Sequence, residues 1–310
     1  MKPNNKAIII FGPTCSGKSA VALALAAELG TEIISADSMQ IYKLMDIGTA
    51  KPSRTALSLV PHHLTDAIWP HEEWSAGRFL GEAAPIMEKL SREGKIPIIA
   101  GGTGLYIRAL TRGLMRAPEA DEKLRAALNG GGERKHALLA SLDPESARLI
   151  APTDTRRITR ALEIFLKTRK TVSELKKTTV PLPYDFIKTG LARDRAELYR
   201  LIDERTDSML KDGLLDEAKR IFALPRPPSK TALQAIGYKE IQGYIEGQYP
   251  YEETIRLIKR NTRRYAKRQF TWFKKEAGAL WVDVTGLTSP AAIYGKFRGT
   301  LLESHPEIFT

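Results

Sequence analysis

Residues Gly12-Pro13-Thr14-Cys15-Ser16-Gly17-Lys18-Ser19 read G-x-x-x-x-G-K-[ST], the spacing of a phosphate-binding loop. The two glycines let the backbone curl so that successive N–H groups face one hollow. Lys18 brings a point charge to a terminal phosphate, and the Ser19 hydroxyl can take a ligand position on Mg²⁺. The flanks are those the motif requires. Lys6 to Phe11 is a short apolar run suited to a buried parallel strand. Ser19 to Leu29, rich in Ala and Leu and closed by Gly30, predicts a helix whose N-terminal dipole faces the phosphates. The expected fold is therefore α/β, a parallel sheet flanked by helices around a phosphate loop. The loop alone does not say which phosphate compound it holds.

Composition narrows the partner. The 310 residues suffice for one large domain or a core with a smaller appendage. A formal net charge of +12 suits a polyanion such as nucleic acid, although excess lysine also serves solubility. No cleavable apolar segment precedes the loop and no run is long enough to span a membrane, so no membrane partner is expected. The single cysteine, Cys15, excludes an internal disulfide and a cysteine zinc cluster, and fits a reduced, cytoplasmic setting.

Along the chain, Thr31 to Ala36 predicts a second strand, ending in Asp37-Ser38-Met39-Gln40. Ligands gather beyond the carboxyl ends of parallel strands. Asp37 can there ligate Mg²⁺ through water, act as a base, or only cap the next turn. Asp46 to Pro52 is a polar loop near the same end. His62 and His63 are adjacent, cannot easily share one ion, and lack a third ligand at useful spacing; no metal site is assigned to them. Trp74 to Leu90 predicts a helix, and Ile96 to Ala100 a third strand. The latter runs into Gly101-Gly102-Thr103-Gly104-Leu105-Tyr106, either a close approach of backbone to ligand or a tight turn.

From about Met115 to Asp185 the chain turns charged and helical, punctuated by Gly130-Gly131-Gly132 and Pro181-Leu182-Pro183. This predicts a helical insertion at residues 115–186, dividing a core of residues 1–114 and 187–310. Arg157 and Arg160 share a helix face with Arg156 beside them, which suits phosphates or a solvated surface. Phe186 to Ala192 returns to a strand and Glu197 to Lys211 to a helix. Arg205 falls on the apolar stripe of that helix, with Ile202 and Met209. A buried charge is costly unless paired, so Arg205 requires an anion, either a bound diphosphate or a distant carboxylate. Gln234 to Lys239 places a mobile Gly237 beside polar and basic groups. Tyr251 to Glu276 predicts a long helix with an apolar stripe of Ile255, Ile258, Tyr265 and Trp272. A second stripe carries Arg256, Arg260, Arg263, Lys267 and Lys274, the footprint of a nucleic-acid backbone. Ala279 to Val284 predicts a last strand, and the chain from Phe297 onward shows little pattern.

Taken in order, the phosphate loop, Asp37 to Gln40, Asp46 to Pro52, Gly101 to Tyr106, Arg157 to Glu163, Ile236 to Lys239 and Ala266 to Trp272 resemble the bacterial tRNA dimethylallyltransferase family from residue 6 to about residue 285. The resemblance implies a phosphate-loop NTPase-like core with a helical insertion and a need for Mg²⁺. It implies transfer of a dimethylallyl group from dimethylallyl diphosphate to N6 of the adenosine just 3′ of the anticodon. By matching motifs, Thr14, Lys18 and Ser19, within the loop Gly12-Pro13-Thr14-Cys15-Ser16-Gly17-Lys18-Ser19, would hold the diphosphate together with Arg205, and Asp37 would accept a hydrogen from the adenine amine. Thr103 and Arg125 match positions near the tRNA and the reaction channel. Asp37-Ser38-Met39-Gln40, Arg156-Arg157-Ile158-Thr159-Arg160, Gln234-Ala235-Ile236-Gly237-Tyr238-Lys239 and Lys267-Arg268-Gln269-Phe270-Thr271-Trp272-Phe273-Lys274 match its contacts with the anticodon stem-loop. The chain departs from the family at Cys15 (alanine is usual), Ser19 (threonine) and Arg156 (glutamine), and lacks the zinc-finger tail of eukaryotic relatives. A monomer is expected. Two other classes compete: a small-molecule kinase using ATP, which leaves the basic helix unexplained, and a nucleic-acid-binding module switched by nucleotide, which leaves Asp37 and Arg205 without a reaction.

Overall fold

The computed structural model describes residues 5–128 and 132–309; Gly130 and Gly131 lie outside them. Six short runs form one all-parallel sheet: β1 (Lys6–Phe11), β2 (Ile33–Ser35), β3 (His62–His63), β4 (Ile98–Gly101), β5 (Asp185–Ala192) and β6 (Leu280–Asp283). Their order is β3-β2-β4-β1-β5-β6. Ala7 to Phe11 of β1 are buried on both faces, as a central parallel strand requires. Phe11 pairs with Gly101 of β4 and with Gly190 of β5, so β1 and β4 end at one level and β5 runs two residues beyond it. The edge strand β3 was not expected; two histidines carry little strand signal, and pairing with Ile33 and Ile34 makes the strand.

The chain divides into two compact units, with boundaries after Ile107 and before Pro183. The sheet unit holds α1 (Lys18–Glu28), α2 (Arg54–Leu59), α3 (Ala76–Arg92) and most of the crossover connections; the first boundary falls within α4 (Gly104–Arg112). After the second unit, with α5 to α9, the sheet unit resumes. It continues through α10 (Arg195–Lys211), α11 (Leu214–Phe222), α12 (Tyr238–Ile245), α13 (Tyr251–Phe273) and α14 (Pro290–Ser304). On one sheet face, Ile8 and Ile10 join Val21, Ala22 and Leu25 of α1 and Ile293, Phe297 and Leu301 of α14 in a single core. The C-terminal stretch without evident pattern is thus a packed helix, with Ser289 as its N-cap and Pro290 at its first position. On the other face Phe11 stacks on Phe273 of α13 at 4.6 Å between ring centroids and meets Trp281 edge-on. No helix among the described residues is long and apolar enough to cross a membrane.

The second unit, Arg108–Leu182, contains no strand among its described residues. Its helices are α5 (Glu122–Ala127), α6 (Gly132–Leu142), α7 (Pro144–Leu149), α8 (Thr155–Thr168) and α9 (Val172–Lys177). Ile158, Ala161, Leu162 and Ile164 of α8 form the core with Leu139, Ala147, Val172 and Leu175. Glu163 is fully buried among them. Its carboxylate accepts from the Asp121 N–H at 2.6 Å, from Arg125 Nε and Nη2 at 3.1 Å each, and from Arg160 Nη1. Burial alone would raise this carboxyl, but the Asp121 N–H and the two guanidinium groups outweigh it and hold its pKa below the usual value.

Four residues expected near the tRNA lie in or beside this cluster. Arg125 and Arg160 are committed to Glu163, and Arg160 also donates to the Pro118 carbonyl, so neither is a free phosphate ligand. Ile158 is interior. Thr159 is half-buried with Lys135 at its hydroxyl. The sequence places Arg157 and Arg160 on one face; the fold separates their roles by burying Glu163 one turn after Arg160 and bringing Arg125 of α5 to the same carboxylate. Arg156 and Arg157 remain exposed, Arg157 paired with Asp154 at the N-cap of α8.

Removing the buried carboxylate takes the shared acceptor from two half-buried guanidinium groups and from the Asp121 N–H, and leaves a void in the core. Glu163→Ala is expected to lower the stability of the full chain in urea unfolding by about 3 kcal/mol. A loss below about 1 kcal/mol, the range of an exposed ion pair, would mean the cluster does not hold the unit together. Because the folded pKa lies below the unfolded one, the same contribution is present above the unfolded value of about 4.5 and fades as pH falls through the folded value.

Candidate active site

The site begins where β1 ends. Gly12 has φ 151°, and a Cβ there would lie 2.6 Å from the Leu191 carbonyl, so only glycine lets the loop leave the sheet. Cys15 adopts φ 63°, a left-handed residue in the middle of the curl. The Ser16 N–H donates to the Pro13 carbonyl and the Ser16 side chain is interior, so this residue presents nothing to a ligand. The first intrahelical bond of α1 runs from Val21 to Gly17. The amides of Lys18, Ser19 and Ala20 therefore precede it and form the free, positive end of the helix.

Two cations meet at this loop. Lys18 Nζ donates to the Pro13 carbonyl at 2.6 Å. Arg205 of α10 reaches back with Nη1 3.3 Å from Thr14 Oγ1 and 3.4 Å from Cys15 Sγ. Among the described residues no carboxylate pairs with Arg205, so the internal salt bridge left open by the sequence is not formed. Enclosure pushes the Lys18 ammonium down from 10.5 to about 8; Asp37 and Cys15 work against that fall and Arg205 adds to it.

Asp37 follows β2 on the facing wall. Its Oδ1 accepts from the N–H groups of Met39, at 2.8 Å, and Gln40, at 3.4 Å. The capping role is real, and it leaves Oδ2 without a partner among the described residues. Thr103, in the glycine-rich turn after β4, accepts from the Ser38 N–H at 3.2 Å. Its hydroxyl thus fixes the Asp37 turn.

Loop, turn and strand ends enclose a cavity of about 600 Å³, lined by Thr14 to Ser19 (Ser16 excepted), Asp37, Gln40, Thr49 to Pro52, Gly101, Gly102, Arg205, Tyr265 and Gln269, among others. His62 also lines it, its Nδ1 on the Val60 carbonyl, whereas His63 pairs with Glu32. No group of three His, Cys, Asp or Glu gathers as a metal site among the described residues. Ser19 and Asp37 are hard oxygen donors on the cavity wall. One or two such groups completed by phosphate oxygens is the donor set that suits Mg²⁺.

Helix α13 departs most from expectation. Its buried stripe is Thr254, Ile258, Ala266, Gln269 and Phe273; Ile255 and Trp272 lie off it, and Trp272 is 40% exposed, covering Gly104. Gln269, expected on RNA, is interior: its Oε1 accepts from the Thr14 N–H and its Nε2 donates to the Gly102 carbonyl, both at 2.9 Å. Phe273 stacks on Phe11 and is equally unavailable. Tyr265, read only as apolar, lines the cavity; burial and the Asp37 charge push its phenol up. Spacing signals these two residues in hindsight, since Gln269 stands four before Phe273 and three after Ala266, on the buried face.

The basic stripe is partly neutralised by α10, whose carboxylates the pattern of α13 alone does not include. Lys259 pairs with Asp207 and Arg263 with Asp203, while Arg256 pairs with Glu253. Arg264, Lys267, Arg268, Thr271, Lys274 and Lys275 are exposed, Arg268 lying over Tyr265 and Lys274 over Phe270. In the remaining segment, Gly237 is the φ 102° entry to α12, not a mobile hinge. Ala235 and Tyr238 are buried, leaving Gln234 and Lys239 exposed and Ile236 half-exposed.

Comparison with known proteins gives the family. The family model described as IPP transferase matches residues 40–276, and one described as isopentenyl transferase matches residues 5–63. A tRNA dimethylallyltransferase of Thermodesulfovibrio yellowstonii is 46% identical over 292 residues, covering 91% of this chain and 92% of its own. A solved tRNA isopentenylpyrophosphate transferase of Bacillus halodurans is 37% identical with TM-score 0.70, over 98% of this chain and 99% of that one. A eukaryotic dimethylallyltransferase solved acting on tRNA is 30% identical with TM-score 0.83, over 97% of this chain and 79% of that one. A phosphate loop with two converging cations, faced by a carboxylate, in a chain matched over most of its length, places it: the chain belongs to the IPP transferase family.

Proposed function

We propose that the chain transfers the dimethylallyl group of dimethylallyl diphosphate to N6 of the adenosine 3′ of the anticodon in tRNA. One observation carries the reading: Lys18 and Arg205 converge on the phosphate loop with no carboxylate between them, and Asp37 faces them across the same cavity. Such a site binds a diphosphate and offers a base beside it.

The chemistry follows from charge. Breaking the allylic C–O bond builds positive charge on carbon and negative charge on the leaving diphosphate. Lys18, Arg205 and the amides at the start of α1 are fixed where that negative charge develops. Ser19 and, through water, Asp37 would hold Mg²⁺ with the diphosphate oxygens, and the ion when bound supplies further stabilisation of the leaving group. The adenine amine is a weak nucleophile, its lone pair delocalised into the ring. Asp37 Oδ2 is free to orient it and accept its proton, while Oδ1 keeps the turn in place. The base must leave its stack to enter the cavity, which is easier from a loop than from a duplex. Arg264, Lys267, Arg268, Lys274 and Lys275 on α13, and Arg156 on α8, are the cations free for RNA phosphates.

The reaction is tested by mass measurement of an anticodon stem-loop incubated with protein, Mg²⁺ and either dimethylallyl diphosphate or ATP. One added dimethylallyl group, with the prenyl donor alone, is expected. Unchanged RNA with ATP consumed would replace this reading with the kinase.

Asp37→Asn keeps the Oδ1 cap and removes the base. It should lower kcat by about 10²–10⁴-fold and leave diphosphate affinity nearly unchanged. An unchanged rate would remove Asp37 as the proton acceptor. Lys18 loses its charge as pH rises through about 8, so affinity for inorganic diphosphate with Mg²⁺ should fall above that pH. Lys18→Met should bind more weakly and lack this inflection; an inflection that survives in the variant belongs to another group. For folding the sign is opposite: the folded chain releases this proton first, so its unfavourable contribution lessens between about pH 8 and 10.5.

A further inference from the structure

The cavity wall formed by Thr49 to Pro52 is not regular structure, yet it is held at both ends. From outside, the Glu217 carboxylate of α11 accepts from three successive backbone N–H groups, Asp46 at 3.0 Å, Ile47 at 2.8 Å and Gly48 at 3.0 Å. The Tyr238 hydroxyl of α12 donates to the same carboxylate. Glu217 and Tyr238 are 3% and 1% exposed, so neither can act on substrate directly. The Tyr238 ring also fits Gly48 closely: a Cβ at Gly48 would stand 2.5 Å from ring carbon Cε2. From inside, Gln40 Nε2 donates to the carbonyls of Thr49, at 3.3 Å, and Ala50, at 3.1 Å. The Gln40 N–H is in turn one of the two that Asp37 Oδ1 accepts.

These contacts form one chain, from Glu217 through the loop of residues 46–50 and the Gln40 amide to Asp37. A carboxylate fully desolvated to cap three amides is an expensive way to tie down a surface loop. It becomes intelligible where the loop sets the reacting geometry, because misplacing a base by about 1 Å can cost on the order of 10²-fold in rate. We infer that Glu217, with Tyr238, is a positioning residue of the transfer reaction, setting the orientation of Asp37 and the adjoining cavity wall through Gly48 and Gln40. Tyr238, which the sequence motif suggests as an RNA contact, thereby serves the reaction from the interior. The diphosphate end of the cavity is built from other elements, the phosphate loop, Arg205 and Gln269, and does not depend on this chain of contacts.

The inference rests on the proposed transfer activity, and the experiment separates the two. Glu217→Gln keeps the shape and replaces one acceptor oxygen by a donor. In dimethylallyl transfer to the stem-loop it should lower kcat by about 10–100-fold, with affinity for inorganic diphosphate and Mg²⁺ largely kept. Gln40→Ala should lower kcat in the same way, and the double variant should lose little more than the worse single one, because both act through one loop. Tyr238→Phe removes one of four donors and keeps the ring on Gly48, so its loss should be the smallest of the series. Diphosphate affinity falling in step with rate, or losses of the two single variants that multiply, would overturn the inference and leave Glu217 a fold-stabilising residue. Should Glu217→Gln not fold, Gly48→Ala decides: it displaces the loop from Tyr238 while the Glu217 side chain itself is unaltered. Lowered kcat with kept diphosphate affinity is expected, and an unchanged kcat overturns the inference. Absence of transfer by the unaltered protein would instead count against the proposed function itself.

Discussion

Lys18 and Arg205 repel each other, and no carboxylate among the described residues stands between them. Two like charges in one partly enclosed cavity are unfavourable; the Lys18 ammonium is depressed mainly by burial, with Asp37 opposing the fall and Arg205 adding to it. The arrangement survives because neither group can relax away. Lys18 sits in the first turn of α1, whose inner face is locked into the sheet core, and Arg205 sits one turn after the buried Ile202 of α10. A diphosphate relieves the repulsion on binding. In the proposed reaction, the rigidity that keeps the cations together would therefore be the source of affinity for a diphosphate, and of the stabilisation of negative charge as the C–O bond breaks.

The same rigidity explains the division of labour along α13. Its buried stripe closes the sheet through Phe273 on Phe11 and clamps the phosphate loop to the glycine-rich turn through Gln269. Because Gln269 takes the Thr14 N–H, that amide is withdrawn from any ligand; the helix spends a phosphate donor to fix the loop. The opposite face carries the exposed cations. In the proposed reaction one helix would thereby couple the placement of RNA phosphates to the floor of the phosphate loop, with no moving part required.

Much of this was legible from residue pattern. The phosphate loop, its strand and its helix follow from spacing alone, and so do the helices from Asp121 to Lys177, where polar and apolar residues alternate with the right period. What failed, failed for one physical reason. Helix α14 has weak amphipathic patterning because its exposed face carries Ala291, Ala292, Gly295 and Leu302 opposite the buried stripe of Ile293, Phe297 and Leu301, and β3 exists only through its neighbour. Arg160 looks like a phosphate ligand until the carboxylate of Glu163 is placed against it. Gln269 and Tyr265 look like surface and core, yet they become clamp and cavity wall once Thr14, Gly102 and Asp37 are brought near. Spacing reports local geometry, whereas polar side chains are defined by partners that the fold supplies from elsewhere.

That distinction bears on how the cavity is made specific. Its walls are loops, and loops have backbone amides that no ladder satisfies. Here several are taken by side chains: the Thr14 amide by Gln269, the Ser38 amide by Thr103, those of Met39 and Gln40 by Asp37, and those of Asp46 to Gly48 by Glu217. Gln269, Thr103 and Glu217 come from 65 to 255 residues away along the chain. Apolar packing alone would leave such loops several conformations of similar energy, since a slipped apolar contact is replaced by another. A buried amide has no such substitute; losing its acceptor costs its full desolvation. Polar capping from distant, rigid helices therefore confines irregular backbone to one shape, and that shape decides whether a small allylic donor and a flipped base meet the carboxylate at the right angle.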